Sequence, residues 1–196
     1  MLSEMNEPGE ERLSTAADAE EPRGLVLVNT GDGKGKTTAA LGTVLRAVGY
    51  GHHCLIVQFI KGSWMYGEME SIKRLEPEVE FHRLGRGFVG IMDDNLPREE
   101  HEKAARDALA FARERLASGR YRLVLLDEIF VAVTLRLISV QDVLDLLDAR
   151  PPQTTLILTG RGAPPEVIER ADTVTEMREV KHAFRKGILA QRGVDY

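Results

Sequence analysis

A glycine-rich loop between an apolar strand and an apolar helix constrains this chain more than any other feature. Residues 31–38 read Gly-Asp-Gly-Lys-Gly-Lys-Thr-Thr and follow an apolar run at residues 25–28. Glycines allow successive backbone N–H groups to face one anion, and the helix after the loop directs its positive end to the same place. Lys36 adds a positive charge, and the hydroxyl of Thr37 can ligate the Mg²⁺ that accompanies a nucleoside triphosphate. The sequence therefore predicts a strand–loop–helix unit that binds phosphate.

The loop departs from the usual pattern G-x-x-x-x-G-K-[ST] at its first glycine. The pattern places that glycine at residue 30, where this chain has Thr30, while Gly31 and Gly33 stand just after it. A surface turn rich in glycine and lysine is the alternative interpretation, but the strand, the loop and the apolar helix occur in the required order. We therefore expect a phosphate loop whose entrance is one residue tighter than usual.

Short apolar runs alternate with helical patterns along the chain, as in α/β proteins with a parallel sheet covered on both faces. A domain of this kind places ligands at the carboxyl ends of its strands. The predicted strands cover residues 24–29, 54–60, 79–84, 122–127, 154–159 and 173–176. The predicted helices cover residues 36–48, 65–75, 98–118, 140–148 and 164–171.

The fourth of these strands ends in two carboxylates, Asp127 and Glu128, directly after four apolar residues. Such a Walker-B-like strand can hold Mg²⁺ opposite the Thr37 hydroxyl. Apolar strands that end in Asp-Glu also occur where the acids only cap the next turn. Because the phosphate loop is also present, we predict a metal site at Thr37 and Glu128, with Asp127 behind it.

Composition divides the chain into an acidic leader, residues 1–23, and one domain, residues 24–196. The leader has seven acidic and two basic residues, and the whole chain has a net charge of −5, so the domain is neutral. A neutral domain argues against general nucleic-acid binding. The leader lacks the pattern of a signal peptide and no apolar run reaches membrane-span length, so we expect a cytoplasmic protein without membrane contact. The single cysteine, Cys54, is expected to be buried in a strand.

Eight sequence blocks together resemble the phosphate-loop family of ATP:corrinoid adenosyltransferases. They include the loop itself, Val57-Gln58-Phe59-Ile60-Lys61-Gly62 and Leu158-Thr159-Gly160-Arg161-Gly162. The full set is residues 31–40, 46–49, 57–62, 125–128, 158–162, 171–174, 180–184 and 193–196. The resemblance implies a RecA-like phosphate-loop NTPase fold, a homodimer and a flavoprotein that reduces the corrinoid. It also implies transfer of the 5′-deoxyadenosyl group of ATP to Co(I) of cobalamin or cobyrinic acid a,c-diamide, which releases triphosphate.

The resemblance assigns roles by position. Lys36, Thr37 and Glu128 are the predicted catalytic residues, with Mg²⁺ on Thr37 and Glu128. The predicted ATP contacts are Gly31, Asp32, Gly33, Lys34, Gly35, Lys36, Thr37, Thr38, Arg46 and Arg161. Arg46 and Arg161 each have an alternative as ordinary structural or surface charges. In the family the nucleotide lies in the loop in an unusual direction, and we hypothesise that Thr30 is connected with it.

The corrinoid side departs from the family pattern. Phe88 is present, but Gly90 stands where the better-known members have tryptophan. We predict that Phe88 lines the face of the corrin ring. The leader has two interpretations, a disordered acidic tail or a lid over the corrinoid. Alternatives to adenosyl transfer are an ATP-hydrolysing motor or switch, a small-molecule kinase and a non-catalytic nucleotide sensor.

Overall fold

A six-stranded parallel sheet forms the centre of the protein. The computed structural model describes residues 23–61, 65–87, 89–90 and 94–196. The strands are β1 (Val26–Thr30), β2 (Cys54–Gln58), β3 (Val79–Arg83), β4 (Leu123–Asp127), β5 (Thr155–Thr159) and β6 (Thr173–Glu176), in the spatial order β3-β2-β4-β5-β1-β6. Residues 1–22 of the predicted leader and the predicted corrinoid contact Phe88 lie outside the described residues.

Six α-helices connect these strands within the described ranges. They are α1 (Lys36–Val48), α2 (Gly67–Ile72), α3 (Arg98–Ala117), α4 (Ile129–Thr134), α5 (Val140–Asp148) and α6 (Pro165–Arg170). Short 3₁₀ turns follow α2 at Lys73–Leu75 and follow β6 at Ala183–Lys186. No helix in the described ranges combines the length and the apolar composition of a membrane span.

Alternation along the central strands explains why both faces of the sheet carry helices. Every residue of β2 and β4 is buried. Leu55 and Val124 belong to one apolar cluster, which includes the alanine face of α3, whereas Ile56 and Leu125 belong to a second cluster with Ala40 and Val44 of α1. Successive side chains of a strand point to opposite faces, so an uninterrupted apolar run is required where both faces are covered.

The structure confirms the predicted α/β class and each predicted strand and helix, with shifts of a few residues at their ends. The sequence did not predict α4, because its residues Ile-Phe-Val-Ala-Val-Thr are largely β-branched or aromatic and have low intrinsic helix propensity. Tertiary burial stabilises α4 instead, since Ile129, Phe130 and Ala132 have no exposed surface. Cys54 is buried as predicted, and burial raises its pKa to about 11.

Candidate nucleotide-binding site

A cleft of about 1100 Å³ lies at the carboxyl edge of the sheet, between the phosphate loop and the chain after β6. Its position agrees with the rule that parallel sheets bind ligands at this edge. Residues from four parts of the fold line it: Asp32 to Thr38 of the loop; Lys61, Tyr66 and Glu68 near α2; Glu128 and Arg161 after β4 and β5; and His182, Phe184 and residues 193–196.

The phosphate loop is shaped by glycines that have little space around them. Gly31 has φ +93° and Gly35 has φ +115°, a region that other residues rarely adopt. A Cβ on Gly31 would lie 2.5 Å from the carbonyl oxygen of Met177, and the N–H of Gly33 donates to that same oxygen at 2.6 Å. The glycines therefore allow the chain after β6 to pack directly on the outside of the loop.

Lys36 lies within the curve of the loop. Its Nζ donates to the carbonyl oxygens of Gly31 at 2.6 Å and Gly33 at 2.7 Å. Burial and the nearby Arg161 lower the pKa of Lys36 below the ordinary lysine value. This arrangement holds a positive charge close to the backbone N–H groups of the loop, as the sequence predicts.

Asp127 connects three elements beneath the loop. Its side chain has no exposed surface, and it accepts hydrogen bonds from Thr37 Oγ1 at 2.8 Å, Thr159 Oγ1 at 2.7 Å and Gln58 Nε2 at 3.0 Å. These donors come from the start of α1, the end of β5 and the end of β2. Asp127 thereby fixes the position of the Thr37 hydroxyl.

Lys61 is a buried cation beside Asp127 that the site prediction omitted. It is 8% exposed, and its Nζ lies 2.8 Å from Glu68 Oε1 and 3.7 Å from Asp127 Oδ2, above the ring of Tyr66. Burial alone lowers its pKa, but the two carboxylates outweigh burial, so the pKa of Lys61 lies above the ordinary value. We call Thr37, Gln58, Lys61, Asp127 and Thr159 the Asp127 cluster.

Glu128 differs from its neighbour because part of its carboxylate has no partner. Its backbone has φ +61° and its N–H donates to Thr159 Oγ1 at 2.9 Å, whereas its Oε2 is buried without a hydrogen bond. Burial, followed by repulsion from Asp127, raises the pKa of Glu128 to about 7. A buried oxygen of this kind next to a phosphate loop is suited to a cation.

The structure separates the two predicted arginines. Arg161 lines the cleft, after β5 and next to Gly160 and Gly162, and it acts electrostatically on both Lys36 and Glu128. Arg46 lies exposed in the last turn of α1, about 15 Å along the helix axis from Lys36 by the usual rise per residue. Arg46 is not among the residues that line the cleft of this chain, and its predicted ATP contact stays a prediction.

Comparison with known proteins identifies the family. The family described as ATP:corrinoid adenosyltransferase BtuR/CobO/CobP matches residues 22–196. The corrinoid adenosyltransferase of Escherichia coli K12 is 45% identical over 181 residues, which cover 92% of this chain and 89% of the relative. Its Salmonella typhimurium counterpart is 43% identical with the same coverage. The chain belongs to the ATP:corrinoid adenosyltransferase family.

The fold of this family member resembles that of a KaiC-like protein from Pyrococcus horikoshii. The TM-score is 0.52 at 20% identity, and the match covers 83% of this chain and 76% of the other. At this identity the likeness shows the fold alone, which is the predicted RecA-like phosphate-loop fold. The family match confirms the resemblance found in the sequence blocks, and the structural match confirms the fold that the resemblance implies.

Several of the site residues that the prediction omitted come from the blocks that mark the family. Gln58 and Lys61 belong to one block, Thr159 to another, and His182 and Phe184 to a third. Each lies at or after the end of a parallel strand, the same signal that singled out Asp127. Applied to β2, β5 and β6, that rule finds Gln58, Thr159 and the cleft residues after Glu176.

The departure from the loop pattern at Thr30 has a local explanation. Thr30 is the last residue of β1, and its Oγ1 accepts a hydrogen bond from the N–H of Ala163 at 3.2 Å. Its carbonyl oxygen accepts from Met177 N–H at 2.8 Å. The threonine therefore ties the loop entrance to the segments after β5 and β6, which glycine could do only through its backbone.

Proposed function

We propose that this protein transfers the 5′-deoxyadenosyl group of ATP to the cobalt of a reduced corrinoid. Two electrons of Co(I) form the new Co–C bond, the C5′–O bond breaks, and triphosphate leaves with the electron pair of the broken C5′–O bond. Cobalt is the nucleophile, so the protein has no bond to make. Its task is to hold the 5′ carbon in line with cobalt and to stabilise the departing negative charge.

The observation that carries this proposal is the cleft itself, in a chain of this family. Loop amides, Lys36 and Arg161 converge at one end, where they can stabilise charge that accumulates on the leaving triphosphate. The cleft volume of about 1100 Å³ leaves room for the nucleoside beside the phosphates. Membership of the adenosyltransferase family assigns the adenosyl group, rather than a phosphoryl group, as the part transferred.

We assign Mg²⁺ to Thr37 and Glu128. The Thr37 hydroxyl donates a hydrogen bond to Asp127, so the lone pairs of Thr37 Oγ1 remain free for a metal ion. Glu128 Oε2 is buried without a hydrogen bond. Within the described residues no group of three or more His, Cys, Asp or Glu side chains could form a metal site alone, so phosphate oxygens would complete the ligand set. When bound, the ion would neutralise phosphate charge.

The corrinoid contact that we propose is Phe88, beside the described pair Val89 and Gly90. Phe88→Ala should impair turnover of the corrinoid and leave ATP binding near the wild-type value, measured separately by steady-state kinetics and calorimetry. Equal loss of both would contradict this role.

We also propose that the nucleotide lies in the loop in the unusual direction of the family, with the γ-phosphate where other phosphate-loop enzymes hold the α-phosphate. The hydrogen bonds of Thr30 to the segments after β5 and β6 support a loop entrance of different shape. A structure with the nucleotide in the ordinary direction would overturn this proposal.

Three further features are proposed from the family resemblance: a homodimer, a flavoprotein that supplies the electron to cobalt, and a cytoplasmic location. Light scattering tests the first. Replacement of chemical reductant by a reduced flavoprotein tests the second.

One experiment separates adenosyl transfer from its alternatives. The protein is incubated with MgATP and chemically reduced corrinoid, and the products are separated. Light-sensitive adenosylcorrinoid with intact triphosphate is the expected result. Orthophosphate without adenosylcorrinoid would indicate an ATPase, a phosphorylated small molecule would indicate a kinase, and unchanged ATP would indicate a sensor.

A further inference from the structure

An acid, Asp195, contacts a lysine of the phosphate loop in the lining of the cleft, where its negative charge would repel a triphosphate. Asp195 Oδ1 lies 2.8 Å from Nζ of Lys34, a lysine within the phosphate loop, and both residues line the cleft. The Asp195 side chain is 25% exposed and the Lys34 side chain 43% exposed. The loop cation is therefore already paired with a carboxylate of the protein.

The position of Asp195 is fixed by its own segment. Its Oδ2 accepts the N–H of Gln191 at 2.8 Å, and its backbone N–H donates to the carbonyl oxygen of Gln191 at 2.8 Å. A further hydrogen bond joins Gly193 N–H to the carbonyl oxygen of Tyr196 at 2.7 Å. Residues 191–196 thus form a tight turn that presents one carboxylate oxygen to Lys34, and this contact lowers the pKa of Asp195.

The charges around the cleft make this pair informative. The lining contains four cations, Lys34, Lys36, Lys61 and Arg161, and five acids, Asp32, Glu68, Glu128, Glu179 and Asp195. Because the acids outnumber the cations, the net charge of the lining does not attract a polyanion such as triphosphate. Lys61 forms an ion pair with Glu68 and Lys34 forms one with Asp195. Lys36 and Arg161 are therefore the lining cations most available to a phosphate.

We propose that Asp195 is a positioning residue that competes with the triphosphate for Lys34 and so favours release of the product. The inference rests on the proposed function, because triphosphate is the product that must leave. ATP and triphosphate share the same phosphates, so a strong phosphate grip would retain the product after each turnover. Competition from Asp195 weakens binding of the phosphates of both ATP and triphosphate. Only ATP has an adenosine, whose contacts with the protein offset that loss of affinity.

The test measures binding of inorganic triphosphate with Mg²⁺ by calorimetry, which requires no adenosyl transfer. Asp195→Asn keeps an oxygen that can accept the Gln191 N–H and removes only the charge. It should bind triphosphate about 3- to 10-fold more tightly, a range typical for one charge in a partly exposed site. In the adenosylation assay the inhibition constant of triphosphate should fall by the same factor.

Two further variants distinguish competition from other causes. Glu99→Gln removes one negative charge at an exposed position on α3 and should change the affinity less than 2-fold. Lys34→Gln should weaken binding, and in that background Asp195→Asn should give no gain, since the contested cation is absent. A gain that persists in the Lys34→Gln background would overturn competition in favour of simple repulsion.

Unchanged or weaker binding by Asp195→Asn would overturn the proposal, because Asp195 would then be neutral or would help Lys34 to hold phosphate. These outcomes are distinct from failure of the proposed function. Absence of adenosylcorrinoid in the wild-type assay would refute adenosyl transfer, whatever the triphosphate affinities are.

Discussion

The two sides of the cleft are built differently. The Asp127 cluster beneath the phosphate loop is built at the ends of the central strands β2, β4 and β5 and the start of α1, and its Asp127 has no exposed surface and three hydrogen-bond donors. The closing segment, residues 177–196, has no buried residue and contacts the loop from outside through Gly33, Met177 and the Lys34–Asp195 pair. The Asp127 cluster therefore fixes the Thr37 hydroxyl in a buried network, whereas the closing segment rests on exposed contacts whose loss should cost little stability.

Asp127→Asn tests the first half of this comparison and should have the largest effect. Asparagine presents an NH₂ group to donors that need an acceptor, and it leaves Lys61 without one of its carboxylates. We expect loss of about 3–5 kcal/mol of unfolding free energy and at least about 100-fold lower activity. Denaturant unfolding and steady-state kinetics measure these effects. The control is Glu179→Gln in the closing segment, which should leave the unfolding midpoint unchanged; similar losses in both would remove the distinction.

Lys61→Met removes the buried cation of the cluster and should have the next largest effect. The buried Asp127 and the partly buried Glu68 would remain without their cation, so the free energy of unfolding should fall by about 2–4 kcal/mol. Lys34→Met removes the exposed loop cation that pairs with Asp195 of the closing segment and should change the free energy of unfolding by less than about 0.5 kcal/mol. Urea unfolding of both variants provides the measurement, and a loss at Lys34 as large as that at Lys61 would contradict the comparison.

Glu128→Gln should stabilise the metal-free protein at high pH. The pKa of Glu128 is raised from 4.5 to about 7 on folding, by burial and by Asp127, partly offset by Lys61, Lys36 and Arg161. The folded state therefore binds the proton more tightly, and stability falls as pH rises from about 4.5 to about 7. The variant should be about 1–3 kcal/mol more stable than wild type at pH 8 and nearly equal at pH 4.5. Unfolding at the two pH values in EDTA measures this, and equal differences at both would contradict the raised pKa.

Arg46→Ala should have the smallest effect, because Arg46 lies outside both walls. The KM for ATP should stay within about 2-fold of wild type, and the stability change should be within the usual range for a surface substitution. Arg161→Ala, at the cleft, provides the contrast and should raise the KM for ATP clearly more. A large rise of the KM for ATP in Arg46→Ala would instead support the ATP contact of Arg46 that the family block suggested.

The sequence predicted the fold, the phosphate loop and Asp127 more completely than it predicted the closing segment, and the difference has physical reasons. Apolar runs and strand-terminal acids are local signals, so β4, Asp127 and the phosphate loop could be read directly. The roles of Gln58 and Lys61 depend on β2 lying beside β4, a neighbour relation that sequence order does not state. The Lys34–Asp195 contact joins residues far apart in the chain and has no pattern of its own. The family block suggested Arg46 as an ATP contact, but a block does not tell which part of a helix lies at the cleft, and Arg46 is exposed in the last turn of α1.

The position of β1 in the sheet has a consequence for how the protein is made. Among the described strands, β1 pairs only with β5 and β6, both of which are synthesised much later, and the phosphate loop meets Met177 only after β6 exists. During translation the first strand thus waits, without a sheet partner, until most of the chain has left the ribosome. Contacts this distant in sequence slow folding. The phosphate loop therefore acquires the strands that flank it late in synthesis, and until then the apolar β1 segment is open to aggregation.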